Sequence, residues 1–237
     1  MTSIGDSRTM QIIVLGGGDF STNVNNPLQE QYILQQALNK KPKICFIATA
    51  SEDNESCIKD FYKAFSTKNC KPTHITISEM KERYLDSIIE QQDIIYIGDG
   101  NVDFMINMWR EFNIEEKLKE AYYNGQIIVG AGTSAIYLFE EGVGKDASGG
   151  YKISSGLGLV KGVLCPYYNN EASKQALFNY INNGRILSGL AVDDGAVVHF
   201  ENGELSKCII SKKNSSAYSL STNDKYMEEN VDVILLE

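Results

Sequence analysis

Histidine is the scarcest useful resource in this sequence: only His74 and His199 occur in 237 residues. Chemistry that needs an imidazole base therefore has two places to find one, and neither stands beside a nucleophile motif. His74 sits mid-strand and His199 in a late strand, so both read as structural or surface residues. Basic charge is also in short supply. With 22 Lys+Arg against 31 Asp+Glu the net charge is −9, which excludes partners that need a basic surface, nucleic acids and anionic membranes among them. The five cysteines (Cys45, Cys57, Cys70, Cys165, Cys208) are odd in number, widely spaced and without a C-x-x-C pair, so neither a disulfide framework nor a zinc site is expected. Cys45 and Cys165 lie in apolar runs and read as small core residues. No run approaches membrane-spanning length and the first residues lack a signal-peptide core, so a cytoplasmic protein is expected. Nothing indicates a cofactor or a metal.

What is present is a full complement of core formers. At 43% hydrophobic the chain can bury one large core, and it shows neither an internal repeat nor a dividing linker. A single domain over residues 10–237 is expected, preceded by a disordered segment, 1–9.

Short apolar runs recur with helical stretches between them. Strands are expected at Gln11–Leu15, Lys43–Ala48, Thr73–Ile77, Asp93–Ile97 and Gln126–Val129. Asn26-Pro27 reads as a helix start running to about Asn39, and further helices are expected at about 52–65, 80–90, through Trp109, and 114–123. This alternation means βαβ units and a parallel sheet covered on both faces. Glycine turns at 16–18, 98–100 and 130–132 each follow a strand, so they are placed to converge on one crevice outside the carboxyl ends of the sheet. Gly16-Gly-Gly18 fits neither the dinucleotide nor the P-loop pattern and reads as a turn at the crevice rim.

The second half differs. Residues 144–155, rich in glycine and serine, read as a loop, followed by a strand at 163–165 and a helix at about 171–182. Strands at 187–192, 196–200 and 205–210 follow, the last two joined by Asn202-Gly203, a strong type I′ hairpin signal, with more at 217–220 and 231–236. The fold class is therefore α/β, a three-layer α/β/α sandwich whose mostly parallel sheet takes antiparallel strands and a hairpin toward its C-terminal end.

The chemistry turns on Gly125–Gly142. A buried strand meets Gly130 and Gly132, then Thr133-Ser134-Ala135 leads into a second apolar run ending at Phe139. Strand, tight turn and helix start form the setting in which α/β hydrolases present a nucleophilic serine.

The order of motifs resembles the peptidase E and cyanophycinase family of serine peptidases, whose fold is related to class I glutamine amidotransferases. The likeness runs through Val14-Leu-Gly-Gly-Gly18, Phe46-Ile-Ala-Thr-Ala50, Tyr96-Ile-Gly-Asp-Gly-Asn101, Gly156-Leu-Gly-Leu159, Cys165-Pro-Tyr-Tyr168 and Ala191-Val-Asp-Asp-Gly-Ala196. It implies a nucleophilic serine in a Gly-x-Ser-Ala-Gly-Ala turn, a base in Pro-His-Tyr/Phe, and an oxyanion turn of the form Gly-Gly-Gly-Asn-Thr. Each departs here. Without a gap, Gly130–Ala135 overlies the serine turn and puts Gly132 at the nucleophile position. The other register makes Ser134 the nucleophile, but removes two residues from the segment behind and turns its buried face by about 200°. The base position reads Tyr167, and tyrosine at its ordinary pKa is no general base near neutrality. The acid position falls near Lys145 and Asp146, and Gly98-Asp99-Gly100-Asn101 sets a carboxylate beside the presumed oxyanion hole, where it would oppose developing negative charge.

Two functions are thus carried forward. In one, the fold has lost its peptidase chemistry and the crevice binds a small molecule or short peptide. In the other, Ser134 is an active nucleophile acting on short acidic peptides. A third reading, in which Asp99, Asp193 or Asp194 handles protons or a metal, has no ligand cluster behind it. Trp109, Tyr122, Tyr123 and Tyr168 read as packing residues, and the resemblance makes a homo-oligomer plausible.

Overall fold

The computed structural model describes residues 9–18, 20, 27–80, 85–146, 148–186, 188–221 and 227–236. The expected disorder of 1–9 and the Asn26 cap fall, apart from Thr9, outside these residues. In chain order the first half runs β1 (Gln11–Leu15), α1 (Leu28–Gln35), β2 (Lys43–Ile47), α2 (Glu55–Ala64), β3 (Lys71–Ile75), α3 (Ile77–Met80), α4 (Leu85–Glu90), β4 (Ile94–Ile97), α5 (Val102–Glu111), α6 (Ile114–Tyr123) and β5 (Ile127–Ala131). The second half runs β6 (Phe139–Lys145), β7 (Tyr151–Ser155), β8 (Val160–Pro166), α7 (Glu171–Asn182), β9 (Ser188–Val192), β10 (Ala196–Glu201), β11 (Glu204–Ile210), β12 (Ala217–Ser221), β13 (Met227–Asn230) and β14 (Val233–Leu235).

The first sheet has eight strands in the order β14-β11-β10-β1-β5-β4-β2-β3. β1, β5, β4, β2 and β3 are mutually parallel, and β10 and β11 add on in antiparallel fashion. The continuous apolar runs of these strands are what a sheet covered on both faces requires. On one face Ile13, Leu15, Phe46, Tyr96 and Val129 pack against Tyr32 and Ile33 of α1 and Phe61 of α2. The other face buries Ile12, Val14, Ile95, Ile97 and Ile128 against Trp109 and Leu118 of α5 and α6. Helices on both faces make the three-layer α/β/α sandwich.

A second sheet, β13-β12-β9-β8-β6-β7, was not separated from the first by the sequence reading. Phe139, Leu164 and Val192 join it to the core of the first sheet, while Val163 and Cys165 of its other face pack on Leu177 and Ile181 of α7.

Two local expectations are corrected. Residues 144–155 are not a loop: β6 and β7 pair there as an antiparallel hairpin, from Glu141↔Ser155 to Lys145↔Tyr151. Its turn is closed by Asp146, whose Oδ1 accepts from Ser148 N, Ser148 Oγ and Gly150 N at 2.8, 2.6 and 3.0 Å, an Asx turn that composition alone disguises. The segment after β5 is not an α-helix but a 3-10 turn, Gly132–Leu138, that runs straight into β6.

Candidate functional site

The carboxyl ends of β1, β2, β4 and β5 lie at the same end of the parallel sheet, and each opens into a short turn. Ala50 and the Gly98–Asn101 turn are tied together, with Asn101 N donating to Ala50 O at 2.8 Å. Asn101 then caps α5 by accepting from Phe104 N and its amide reaches Glu52 Oε1 at 3.1 Å. Asn170 caps α7 in the same way. Two helices therefore start at the rim, each with an asparagine oxygen satisfying its first free N–H groups.

Between them lies a cavity of about 320 Å³ lined by Asp99, Thr133, Val143, Gly144, Lys145, Tyr151, Pro166, Tyr167, Asn170 and Ser173. That size suits a ligand of a few residues at most. The structure thus brings Asp99, Lys145 and Tyr167 together in the lining of one cavity.

Gly132 forms the apex of the turn after β5, at φ +53°, a left-handed conformation that glycine adopts without penalty. A β-carbon built there would lie 2.3 Å from Asp99 Oδ2 and 2.4 Å from its Cγ. The Asp99 carboxylate therefore fills the space into which a side chain at this apex would project. It is held in place from three sides. Its Oδ1 accepts from Thr133 N at 2.8 Å and from Gly100 N at 2.8 Å, and its Oδ2 accepts from the Tyr167 hydroxyl.

Tyr167 is itself unusual, a non-glycine residue at φ +53°. Left-handed backbone at a bulky residue costs on the order of 1 kcal/mol or more and persists only where surroundings enforce it. Here Tyr167 N donates to Gly16 O and the hydroxyl also accepts from Gly18 N at 3.2 Å. The ring lies so close to Gly17 that a β-carbon there would come within 2.5 Å of it. The Gly16–Gly18 turn is thus shaped to receive this tyrosine. Gly16 N donates to Ala196 O and Gly18 N to Tyr167, so these amides serve the protein's own packing. The hydroxyl is thus engaged as a hydrogen-bond donor to Asp99, the arrangement of a positioning or binding group.

Ser134 is fully buried, and its Oγ has no hydrogen-bond partner among the described residues. It does not line the cavity. Thr133, which the sequence reading passed over, does line it; its place one residue beyond the apex is the signal that could have singled it out.

The remaining candidates lie elsewhere. Asp146 belongs to the hairpin turn, where the Ser148 hydroxyl holds its carboxyl below the ordinary value. His74 Nδ1 pairs with Tyr62 OH at 2.8 Å and His199 Nδ1 with Tyr32 OH at 2.7 Å; neither histidine lines the cavity. Asp193 Oδ2 accepts from Ser216 N at 2.9 Å, and burial raises its carboxyl pKa. Asp194 pairs with Lys212 at 2.7 Å. No group of three or more His, Cys, Asp or Glu suited to a metal occurs among the described residues. Trp109 is buried and donates to Thr49 Oγ1, Tyr168 is buried and donates to Glu228, and Tyr122 is buried beside the exposed Tyr123. Among the described residues no helix is long and apolar enough to cross a membrane.

Comparison with known proteins bears on family and fold. The profile of peptidase family S51 matches residues 12–208. The chain is 38% identical over 209 residues to the uncharacterized peptidase YgaJ of Bacillus subtilis (strain 168), covering 88% of this chain and 90% of that protein. Among solved structures it superposes on a peptidase from an acI-B1 Actinobacterium with a TM-score of 0.71, at 11% identity and 96% coverage of both chains. A putative peptidase E protein from Listeria monocytogenes EGD-e gives a TM-score of 0.61, at 15% identity, over 84% of this chain and 97% of that one. At such identities the two structures speak for the fold alone.

Proposed function

The chain belongs to peptidase family S51, and from that premise we propose that it is a member without serine-peptidase chemistry, whose crevice is kept to bind a small molecule or short peptide. The observation that carries this reading is the placement of the Asp99 carboxylate against Gly132. A serine peptidase needs a hydroxyl at the apex of the turn, a base beside it and donors aimed at a developing oxyanion. Here Gly132 has no side chain, Tyr167, which the resemblance sets at the base position, donates a hydrogen bond to Asp99, and the Thr133 and Gly100 amides already hold a carboxylate. Negative charge developing in the same place would meet repulsion instead of stabilisation.

The crevice keeps the features of a binding site. Val143 and Pro166 give it apolar walls, and Lys145, Asn170 and Ser173 supply polar groups of both hydrogen-bonding senses. The experiment is fluorophosphonate labelling of the full chain followed by peptide mapping, together with turnover of Asp-X dipeptides. No adduct and no turnover are expected, while short peptides or their fragments raise the thermal midpoint. Stoichiometric labelling of Ser134, or dipeptide hydrolysis that Ser134→Ala abolishes, would overturn the proposal in favour of an active hydrolase.

A further inference from the structure

A second cavity, of about 390 Å³, lies at the end of the first sheet opposite the crevice. Its lining includes Gln11 and Ile127, where β1 and β5 begin, and Asp93 just before β4. These strands run parallel, so their amino ends meet there. Five carboxamide side chains line the cavity, and four of them are held the same way round. Gln36 Nε2 donates to Tyr32 O at 2.9 Å, Gln92 Nε2 to Ile88 O at 2.7 Å, and Gln126 Nε2 to Ile89 O and Gln92 O at 2.6 and 2.8 Å. Asn39 Nδ2 donates to Asp93 Oδ1 at 2.6 Å. Only the nitrogen end of an amide can face a carbonyl or carboxylate oxygen, so these partners fix each orientation. All four side chains therefore keep a carbonyl oxygen for another donor. Among the described residues none of those oxygens accepts a hydrogen bond. That of Gln92 is buried, on a residue only 8% exposed, where an unmatched acceptor is costly.

We propose that this cavity binds a small organic cation rich in N–H donors, an alkylguanidinium or alkylammonium whose nitrogen end meets these carbonyl oxygens and Asp93. Asp93 is the one charged side chain in the described lining. Its Oδ2 accepts from Lys43 N at 2.8 Å, which fixes the carboxylate beside the amides. Acceptors without competing donors, set next to one negative charge, match a ligand that brings both N–H groups and positive charge, and bonds from such a cation are stronger than neutral ones. The chain's net charge of −9 favours the approach of a cation. Ala37 and the exposed Leu38 give the cavity an apolar lip on which the carbon stem can lie. The volume is that of a small-molecule site, and a bare metal ion would leave most of it unfilled. No group of three side chains suited to a metal occurs among the described residues. The length of β5 separates this site from the crevice.

Titration of the isotope-labelled full chain with n-butylguanidinium chloride and with n-butylammonium chloride, followed by backbone amide chemical shifts at constant ionic strength, tests the proposal. At least one of the two should saturate with a dissociation constant below about 10 mM, with its shifts centred on Gln11, Asp93, Gly125 and Gln126. Tighter binding of butylguanidinium identifies the planar fork as the preferred donor and tighter binding of butylammonium the point charge; either supports the site. Tetramethylammonium carries the charge without an N–H and should bind at least about tenfold more weakly. Gln36 is half-buried at the end of α1, where charged substitutions leave the core untouched. Gln36→Lys places a cation in the site and should weaken binding at least about tenfold, whereas Gln36→Glu should tighten it about threefold or more. A purely structural role for Gln36 would not move affinity in opposite directions. No saturation by about 10 mM with either probe overturns the proposal. So do shifts centred on Gly100, Thr133 and Tyr167 of the crevice, equal binding of tetramethylammonium, or Gln36 variants that leave affinity unchanged or move it the same way.

Discussion

The Asp99 carboxylate and the bare α-carbon of Gly132 are complementary: the one occupies the volume that any side chain on the other would need, with Oδ2 only 2.3 Å from the site of a β-carbon. The two residues are therefore energetically coupled. Gly132→Ser introduces a clash with a three-fold bonded carboxylate and a non-glycine residue at φ +53°, and should cost about 2–4 kcal/mol of stability. In an Asp99→Gly background the same substitution meets space instead, and only the backbone cost remains. A double-mutant cycle by urea denaturation should show a coupling of at least about 1 kcal/mol. Additive effects would mean that the carboxylate swings aside freely and does not fill the apex.

Removing the carboxylate alone makes a second prediction. In Asp99→Ala the Thr133 and Gly100 amides and the Tyr167 hydroxyl lose their common acceptor, and unsatisfied donors cost about 1–3 kcal/mol each where water cannot reach them. Acetate should enter the vacated place and restore part of the loss. The variant's thermal midpoint should climb with acetate at constant ionic strength, while the wild-type protein responds no more to acetate than to chloride. Equal responses would show that these donors do not form an anion site.

The contrast between these residues shows what a sequence can reveal of such a site. Apolar runs ending in glycine located β1, β4 and β5 and the turns after them, because burial of strands and the conformations of turns are local matters. The turn that holds Gly132 could likewise be located from the strand before it. What fills its missing side chain could not, since Asp99 lies 33 positions earlier and meets it only through the pairing of β4 with β5. The left-handed backbone of Tyr167 was hidden for a different reason. Its conformation is enforced by contacts with Gly16 and Gly17, about 150 positions earlier, against the preference of the residue itself. The β6–β7 hairpin was missed because its strands carry glycine and serine in place of an alternating pattern, and its turn depends on one side-chain oxygen of Asp146.

A third prediction concerns pH and rests on His199, outside the crevice. The ring is fully buried, bonded through Nδ1 to Tyr32 OH, and its Nε2 is without a partner among the described residues. Burial holds its pKa down at about 4, against an ordinary 6.5, with Glu201 pulling the other way. The unfolded chain therefore takes up this proton first. The contribution is fully present above pH 6.5 and is lost as pH falls to about 4, by up to roughly 3 kcal/mol. Asp193 acts oppositely, because burial raises its carboxyl and lets the folded chain bind the proton first. The pH curve of the wild-type protein mixes these with shifted carboxyls such as Asp53 and Asp146, and His199→Leu isolates the histidine. At pH 7 the variant should be less stable by about 1–2 kcal/mol, since it leaves the Tyr32 hydroxyl unpaired. Between pH 6.5 and 4 that deficit should shrink and then reverse in urea titrations, because only the wild-type chain carries the cost of a buried neutral imidazole. A deficit that stays constant over this range would mean that His199 titrates alike in the folded and unfolded chains.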